Sequence, residues 1–492
     1  DTGWTFQLMR NLAITPITDK GVLDQKMAPV TAEVRAPGGI QGTGPVVVVE
    51  HTSDNNLVTF RYKLADVRMQ AAEEDFDAGG HRFRAGAFII ANADAAKLTP
   101  VLKELGLSGW AMAQAPTVKA HDLDIPRIGY VHSWQNTQNE GWVRAALDHY
   151  GVPYTYFADQ KLREGNLRAK YDVIVFPHVG GSAQSQVNGI AKNGTLPLPY
   201  KKTEASPNLG ALDQSDDIRG GMGLEGLTEL QKFVQEGGTL ITEGSTSTIF
   251  PEYGLTSGIT VESPTQLFAR GTILRGIIAD PKSPLVYGYE GTQLPVYFSQ
   301  NPVLNVPAGG GGFAGFGGGG GGGGAGGAPN AGLGQNVTPM ATPVRLSPWN
   351  QAAGEGPQGV AAPAGGAGGG RGGRGGAGAA GAPAGGGGGG GGGGFGGAAA
   401  GPRPRVVLQF PQNPDDMLLS GTLAGGQALA GRAQLVDASL GKGHVVMFAI
   451  RPFWRWQTQG TFTLGFNAIL NWNDLDAGKS APDGRTSAGS QE

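Results

Sequence analysis

Seven histidines are the residues of this 492-residue chain best suited to acid–base or metal chemistry: His51, His81, His121, His132, His149, His178 and His444. A hydrolytic zinc centre needs two ligands close in sequence, as in H-x-x-E, a third ligand elsewhere and a Glu as general base. None of the histidines is followed by Glu at the third position. His51 and His121 have Asp there, at Asp54 and Asp124, but His51 ends a predicted strand and neither pair has an evident third ligand. The residues predict no metal site and no cofactor in this chain. Nucleophilic chemistry has one serine in a suitable place, Ser245 in Glu243-Gly244-Ser245-Thr246-Ser247, just after a predicted strand. An elbow of the G-x-S-x-G kind sets its nucleophile on a strained strand-to-helix turn. Here the flanking glycines are out of register, so a turn or N-cap serine competes with a catalytic one. The chain has no cysteine, which removes disulfides, thiolate metal ligands and cysteine nucleophiles together.

Other groups have the right types to line a cleft. His178 follows Phe176-Pro177 at the carboxyl end of a predicted strand, the edge where open α/β sheets bind ligands. His132 and Trp134 follow an earlier strand, Glu243 follows a later one, and Asp216 and Arg219 lie in the polar, Gly/Pro/Ser-rich stretch Gly180–Gly221. These five are the predicted cleft lining, with Ser245 and His178 the only catalytic candidates. Trp454 and Trp456 alternate with Arg451 and Arg455. Exposed, that set could stack on a sugar or clamp a carboxylate; otherwise it packs in a core or between domains.

The elements that must position these groups fall into two parts. Pro45–Glu50, Leu57–Tyr62 and Gly86–Ala91 read as strands, with another around Ala32–Val34. Leu64–Glu74 has partial helical spacing, and Asp94–Leu105 reads as a helix capped by Asp94 and stopped by Gly106. This predicts a small α/β domain over 41–124, behind a linker or the end of an upstream domain at 1–40. From Ile125 strands at Arg127–Val131, Tyr154–Phe157, Tyr171–Phe176 and Thr239–Thr242 alternate with helices at Asn139–Tyr150 and Gly226–Gly237. Later strands are Arg405–Phe410, Ala433–Asp437 and His444–Ile450, with a closing helix at Phe462–Trp472. Such alternation predicts an α/β fold with a doubly wound, mostly parallel sheet over 125–306 plus 405–475.

Between those two pieces, residues 307–404 are dominated by glycine, alanine and proline, including the runs Gly317–Gly324 and Gly385–Gly394, which have no side chains to bury. These runs also lose the most backbone entropy on ordering, so the segment reads as a flexible insertion. The alternative is an ordered assembly element in which polyglycine strands of several chains pack together and self-associate. Arg371 and Arg374 form an RGG-like pair, but two arginines in a neutral run supply too few phosphate contacts for nucleic acid. The formal net charge of −3 points the same way. No apolar run reaches the roughly 18 residues of a membrane span. The tail 476–492 reads as flexible.

Several stretches resemble one kind of protein. They are Asn139–Asp159 (NEGWVRAALDHYGVPYTYFAD), Arg163–Arg168, Tyr171–Pro177, Gly220–Gly223, Glu236–Leu240, Gly441–Val446, Arg451–Phe453 and Gln457–Phe462. They resemble the C-terminal region of large secreted bacterial proteins whose N-terminal domain is a zinc carboxypeptidase of the carboxypeptidase A type. Asp1–Met9 resembles the segment that follows that peptidase domain. The resemblance implies a class I glutamine amidotransferase-like fold, a secreted or periplasmic location, and zinc only in an upstream peptidase domain. That domain, or a peptide substrate, would be the partner. The cysteine of amidotransferases is absent here. The expectation is therefore a non-catalytic accessory module that binds substrate or positions the enzyme. A structural protein assembling through the glycine-rich segment, and a stand-alone hydrolase using Ser245 or His178, are the alternatives.

Overall fold

The computed structural model describes residues 2–32, 34–307 and 403–479. The glycine-rich insertion, with Arg371 and Arg374, lies outside the described residues except for its two ends, and so does the tail from residue 480.

The small domain is built on a sheet of β1 (Gly39–Gly42), β2 (Val46–Val49), β3 (Gln70–Ala72), β6 (Phe88–Ile90), β7 (Ser108–Met112) and β8 (Ala120–Asp122), in the order β1-β7-β2-β6-β3-β8. β4 (Phe76–Ala78) and β5 (His81–Phe83) form a separate hairpin. β2 is apolar throughout because both of its faces are covered. Val47 and Val49 enter the large core shared with the main domain, while Val46 and Val48 meet Phe83 and Ile89 on the other side. Helix α3 (Ala95–Leu105) starts where expected. Asp94 accepts from the amides of Ala96 and Lys97, and Gly106 ends the helix in the left-handed region.

Three expectations for this domain fail. Leu57–Tyr62 is not a strand but part of helix α2 (Asn56–Lys63), which buries Leu57, Val58 and Phe60. The β-branched and aromatic residues favour a strand locally, and tertiary packing overrides that preference. The stretch 64–74 carries β3 instead of a helix, and Ala32 and Val34 are not in a strand. Before the domain, short α1 (Phe6–Met9) packs Leu8 and Met9 against Ile273 and Tyr297.

The main domain has one mixed sheet. Its parallel half is β9 (Ile128–His132), β10 (Thr155–Ala158), β11 (Val173–Phe176), β12 (Thr239–Glu243) and β20 (Gly443–Phe448). These run in the spatial order β10-β9-β11-β12-β20, which is the 2-1-3-4-5 arrangement of a doubly wound sheet. The expectation of a mostly parallel sheet holds only here. β19 (Ala433–Leu440) returns antiparallel beside β20 through the tight turn at Gly441-Lys442. β17 (Arg405–Gln409), β14 (Thr272–Ile278) and β15 (Gln293–Phe298) extend that antiparallel half. β13 (Thr260–Glu262), β16 (Val303–Asn305) and β18 (Leu418–Ser420) pair along it.

Helices cover both faces of the parallel half. On one, α4 (Gln138–His149) and α9 (Gln459–Leu470) pack against Tyr130, Val175, Ile241 and Phe448. On the other, α5 (Leu167–Lys170), α6 (Ala183–Asn188), α7 (Gly223–Gln235) and α8 (Ile249–Glu252) meet Val131, Ile174, Phe176, Leu240 and Met447. Adjacent residues of one strand thus serve opposite cores, which explains the continuous apolar runs. Each fully buried side chain of this size contributes about 1.5–3 kcal/mol.

Helix α9 also fixes the small domain. Asn467 Oδ1 lies 3.1 Å from His51 Nε2, and Asn471 Oδ1 lies 2.8 Å from His121 Nε2. Asn467 on α9 and Asn471, which caps its C-terminal end, stand one turn apart, so one side of this end of α9 receives both histidines. No helix among the described residues is long and apolar enough to cross a membrane.

Candidate functional site

The carboxyl ends of β9, β11 and β12 converge where a doubly wound sheet presents its ligand crevice. At the end of β12 the chain turns sharply into the short helical turn Gly244–Thr248. The strained residue of that turn is Gly244, with φ +57°, and not Ser245. A Cβ at position 244 would stand 2.5 Å from His178 Nδ1. The position that carries the nucleophile in an elbow therefore holds a residue without a side chain.

Ser245, one residue later, is buried and fully engaged. Its Oγ accepts from the Gly180 amide at 2.7 Å and the Val179 amide at 3.2 Å, and donates to Gln186 Oε1 at 3.2 Å. Its own amide donates to His178 Nδ1 at 2.9 Å. In an elbow enzyme the amide after the nucleophile and one from a neighbouring strand–helix loop hold the oxyanion. Here the corresponding amides, of Ser245 and Gly180, are taken by groups of the protein itself.

The titrating groups fit the same account. Burial, with a further push from the Arg451 charge, lowers His178 to about 3. Its ring is then neutral and a poor base near pH 7. Burial pushes Glu243 up to about 8, against the opposing pull of Arg451, so its carboxyl carries a proton at neutral pH. Glu243 and Thr246 form a reciprocal capping box that starts the turn. Glu243 is thus a buried structural group and not part of an open cleft.

His132, at the end of β9, is the second centre. Its Nε2 lies 3.0 Å from Asp213 Oδ2. Asp213 also accepts from the Ala158 amide at 2.8 Å and from Lys161 Nζ at 3.1 Å. The His132 ring stacks on Tyr156 with centroids 4.4 Å apart and meets the edge of Trp134 at 4.7 Å; Trp134 in turn packs on Tyr200 at 4.8 Å. Asp213 and Tyr200 belong to the polar segment 189–221. That segment folds down across the ends of β9 and β10 and covers the edge of the sheet.

The structure moves the remaining candidates out of the cleft. Asp216 is 86% exposed and pairs with Lys201. Arg219 is buried against Asp217 at 2.8 Å and the Asn193 carbonyl at 3.0 Å, so it braces the covering segment. Trp454 stacks on Tyr297 at 4.7 Å beneath the Arg451 guanidinium, and Trp456 packs among His149, Tyr150 and Phe462. Neither tryptophan is free to stack on a ligand. Their neighbours lie far away in sequence, so local alternation with arginine could not separate packing from binding. Sequence reasoning also missed Asp213 and Gln186, the partners of His132 and Ser245, for want of any local motif. Among the described residues no group of three or more His, Cys, Asp or Glu side chains is arranged to hold a metal.

No family model matches the chain, and no curated protein matches it. Among solved structures, a cytoplasmic protein from Salmonella typhimurium aligns with 72% of this chain and 90% of its own length, at 10% identity and a TM-score of 0.27. A protein described as ThuA-like from Bacteroides uniformis aligns with 70% of this chain and 90% of its own, at 9% identity and a TM-score of 0.29. A β-galactosidase from Bacillus circulans sp. alkalophilus aligns with 70% of this chain but 30% of its own, at 9% identity and a TM-score of 0.28. At these values the likenesses assign no function.

Proposed function

We propose that this chain is a non-catalytic accessory module of a secreted zinc carboxypeptidase-like protein, with an amidotransferase-like domain that has lost its nucleophile. The observation that carries the non-catalytic part is Gly244 at the strained turn, with both nearby amides occupied by His178 Nδ1 and Ser245 Oγ. A second observation supports the accessory part. Between α1 and β1 the side chains of Leu12, Ile14, Ile17, Leu23, Met27, Val30 and Val34 are all exposed. Such a run of bare apolar groups marks a contact surface for another protein domain, and an upstream peptidase domain is the partner the reading assigns to it. The zinc chemistry belongs to that domain.

Intact mass and activity of the native protein test the reading. The expected product is well above the 50.5 kDa of this chain and has chelator-sensitive carboxypeptidase activity. Removing the present module then raises KM for peptides and leaves kcat in place. A native product of 50.5 kDa, or a purified module that hydrolyses esters or amides unaided, overturns it.

A further inference from the structure

A cavity of about 520 Å³ lies where the small domain meets the main one. This is well inside the roughly 300–1,000 Å³ typical of small-ligand sites, which favour domain interfaces. The small domain contributes Glu50, just after β2, and Asp75, Arg82 and Arg84 around the β4–β5 hairpin; the main domain contributes Tyr289 and Glu290. Close approach of two segments of the chain at its base requires glycine. The Gly288 amide donates to the Ala85 carbonyl at 3.2 Å, and a Cβ at 288 would fall 1.9 Å from His51 Nδ1. The cavity is therefore built by the fold and is not a gap between loose loops.

Its charges are only loosely satisfied. Arg84 pairs at 2.8 Å with Glu290, whose side chain is 81% exposed; a pair so solvated exchanges readily. Arg82 reaches Asp75 and Asp77 only at 3.3 and 3.4 Å, long against the roughly 2.7–2.9 Å of a good charge-assisted bond. Facing Glu50 is the His81 ring, whose Nε2 is 3.7 Å away. That nitrogen is buried and makes no hydrogen bond. The His81 ring cannot easily turn toward Glu50, because it stacks on Trp110 with centroids 4.0 Å apart. One cavity thus offers a carboxylate with no hydrogen-bonded partner among the described residues, and two guanidinium groups whose partners are solvated or distant.

We propose that this inter-domain cavity binds a short zwitterionic peptide, with its carboxylate on Arg84 and Arg82 and its ammonium group on Glu50. The lining offers groups of both signs, and about 520 Å³ leaves room for a dipeptide. The charge pattern comes from the cavity alone, whereas the choice of a peptide as the zwitterion rests on the accessory-module reading, which the native mass and chelator-sensitive activity test separately.

Calorimetric titration of the purified chain with alanyl-alanine, N-acetyl-alanyl-alanine and alanyl-alanine amide tests it. The free dipeptide is expected to bind and to raise the unfolding temperature, with each blocked form weaker by about tenfold or more. Arg84→Ala and the near-isosteric Glu50→Gln should each weaken the dipeptide about tenfold, and Glu50→Gln should abolish the preference over the acetylated form. Thermal unfolding of each variant without ligand checks that it is folded. Absence of binding by the native chain, or equal binding of all three compounds, overturns the proposal.

Discussion

The amide of Ser245 donates to Nδ1 of His178 at 2.9 Å, and the glycine just before it makes that approach possible. Any side chain at position 244 would have to share space with the imidazole, since its Cβ would lie 2.5 Å from Nδ1. The turn is also in the left-handed region, where an L-residue is strained by roughly 1–2 kcal/mol. Gly244→Ala should therefore destabilise the chain by about 2 kcal/mol or more, the backbone and steric effects adding. Urea unfolding measures this. A loss under about 0.5 kcal/mol, the scatter of ordinary surface substitutions, would mean that the turn relaxes and is not a fixed obstacle to a nucleophile.

Ser245→Ala separates structure from catalysis. Removing Oγ strips the Val179 and Gly180 amides of their acceptor inside a packed region. A buried donor left without a partner costs about 1–3 kcal/mol. The variant should lose that much stability, and neither it nor the native chain should turn over esters, amides or peptides. A native activity that vanishes in Ser245→Ala while the fold survives would restore the hydrolase reading.

The parallel half of the main domain was legible in the sequence because its strands β9, β11, β12 and β20 are buried on both faces. Tyr171–Phe176 and His444–Ile450 announce themselves as apolar runs, and Asp94 and Gly106 mark α3 by local capping chemistry. In the antiparallel extension β17 and β19 were legible as strands, but β14, β15 and the antiparallel pairing itself were not. β14 pairs with residues more than a hundred positions away in β17, and β15 joins the sheet only through β14; no local period reports that. The site divides in the same way. His132, His178 and Glu243 were placed at strand ends by the alternation alone. Asp213 comes to His132 from 81 positions downstream, Gln186 comes to Ser245 from 59 positions upstream, and a polar loop sequence does not say which of its acids turns inward. Leu57–Tyr62 shows the opposite failure, a strand-like composition made helical by the core it must fill.

The docking of the small domain should respond to α9. Asn467 bonds His51 Nε2 through its oxygen, and its nitrogen donates to the carbonyls of Leu285 and Tyr287 at 3.3 and 3.0 Å. Asn467→Ala leaves all three without that partner, at a cost of about 2–3 kcal/mol. Hydrogen exchange is the discriminating readout. Amides of β2 and α2 should exchange faster than in the native chain, while those of β11 and β12 keep their protection. Equal acceleration of both groups would mean that the two domains unfold as one unit and that Asn467 stabilises the whole.

The last prediction concerns pH. His444 begins β20 at the amino end of the sheet, with Nδ1 2.7 Å from Asp437 Oδ1 and Nε2 3.7 Å from Asp476 Oδ2. Burial works against its charge, but the bonds to the two carboxylates outweigh it and raise the histidine to about 9. A group whose folded pKa lies above its unfolded value of roughly 6.5 stabilises the fold fully below that value, and the contribution disappears as pH rises through about 9. At pH 6 it amounts to about 2–3 kcal/mol. His178 behaves oppositely. Held at about 3 by burial and by Arg451, it withdraws stability as pH falls from roughly 6.5 toward that value. His444→Gln should therefore cost most at pH 6 and below and progressively less from about pH 6.5 upward, with the native and variant curves converging by about pH 10 except for a constant packing term. Denaturant midpoints taken across that range give the answer. A difference between native and variant that stays constant from pH 6 to 10 would show that His444 is not charged in the folded chain.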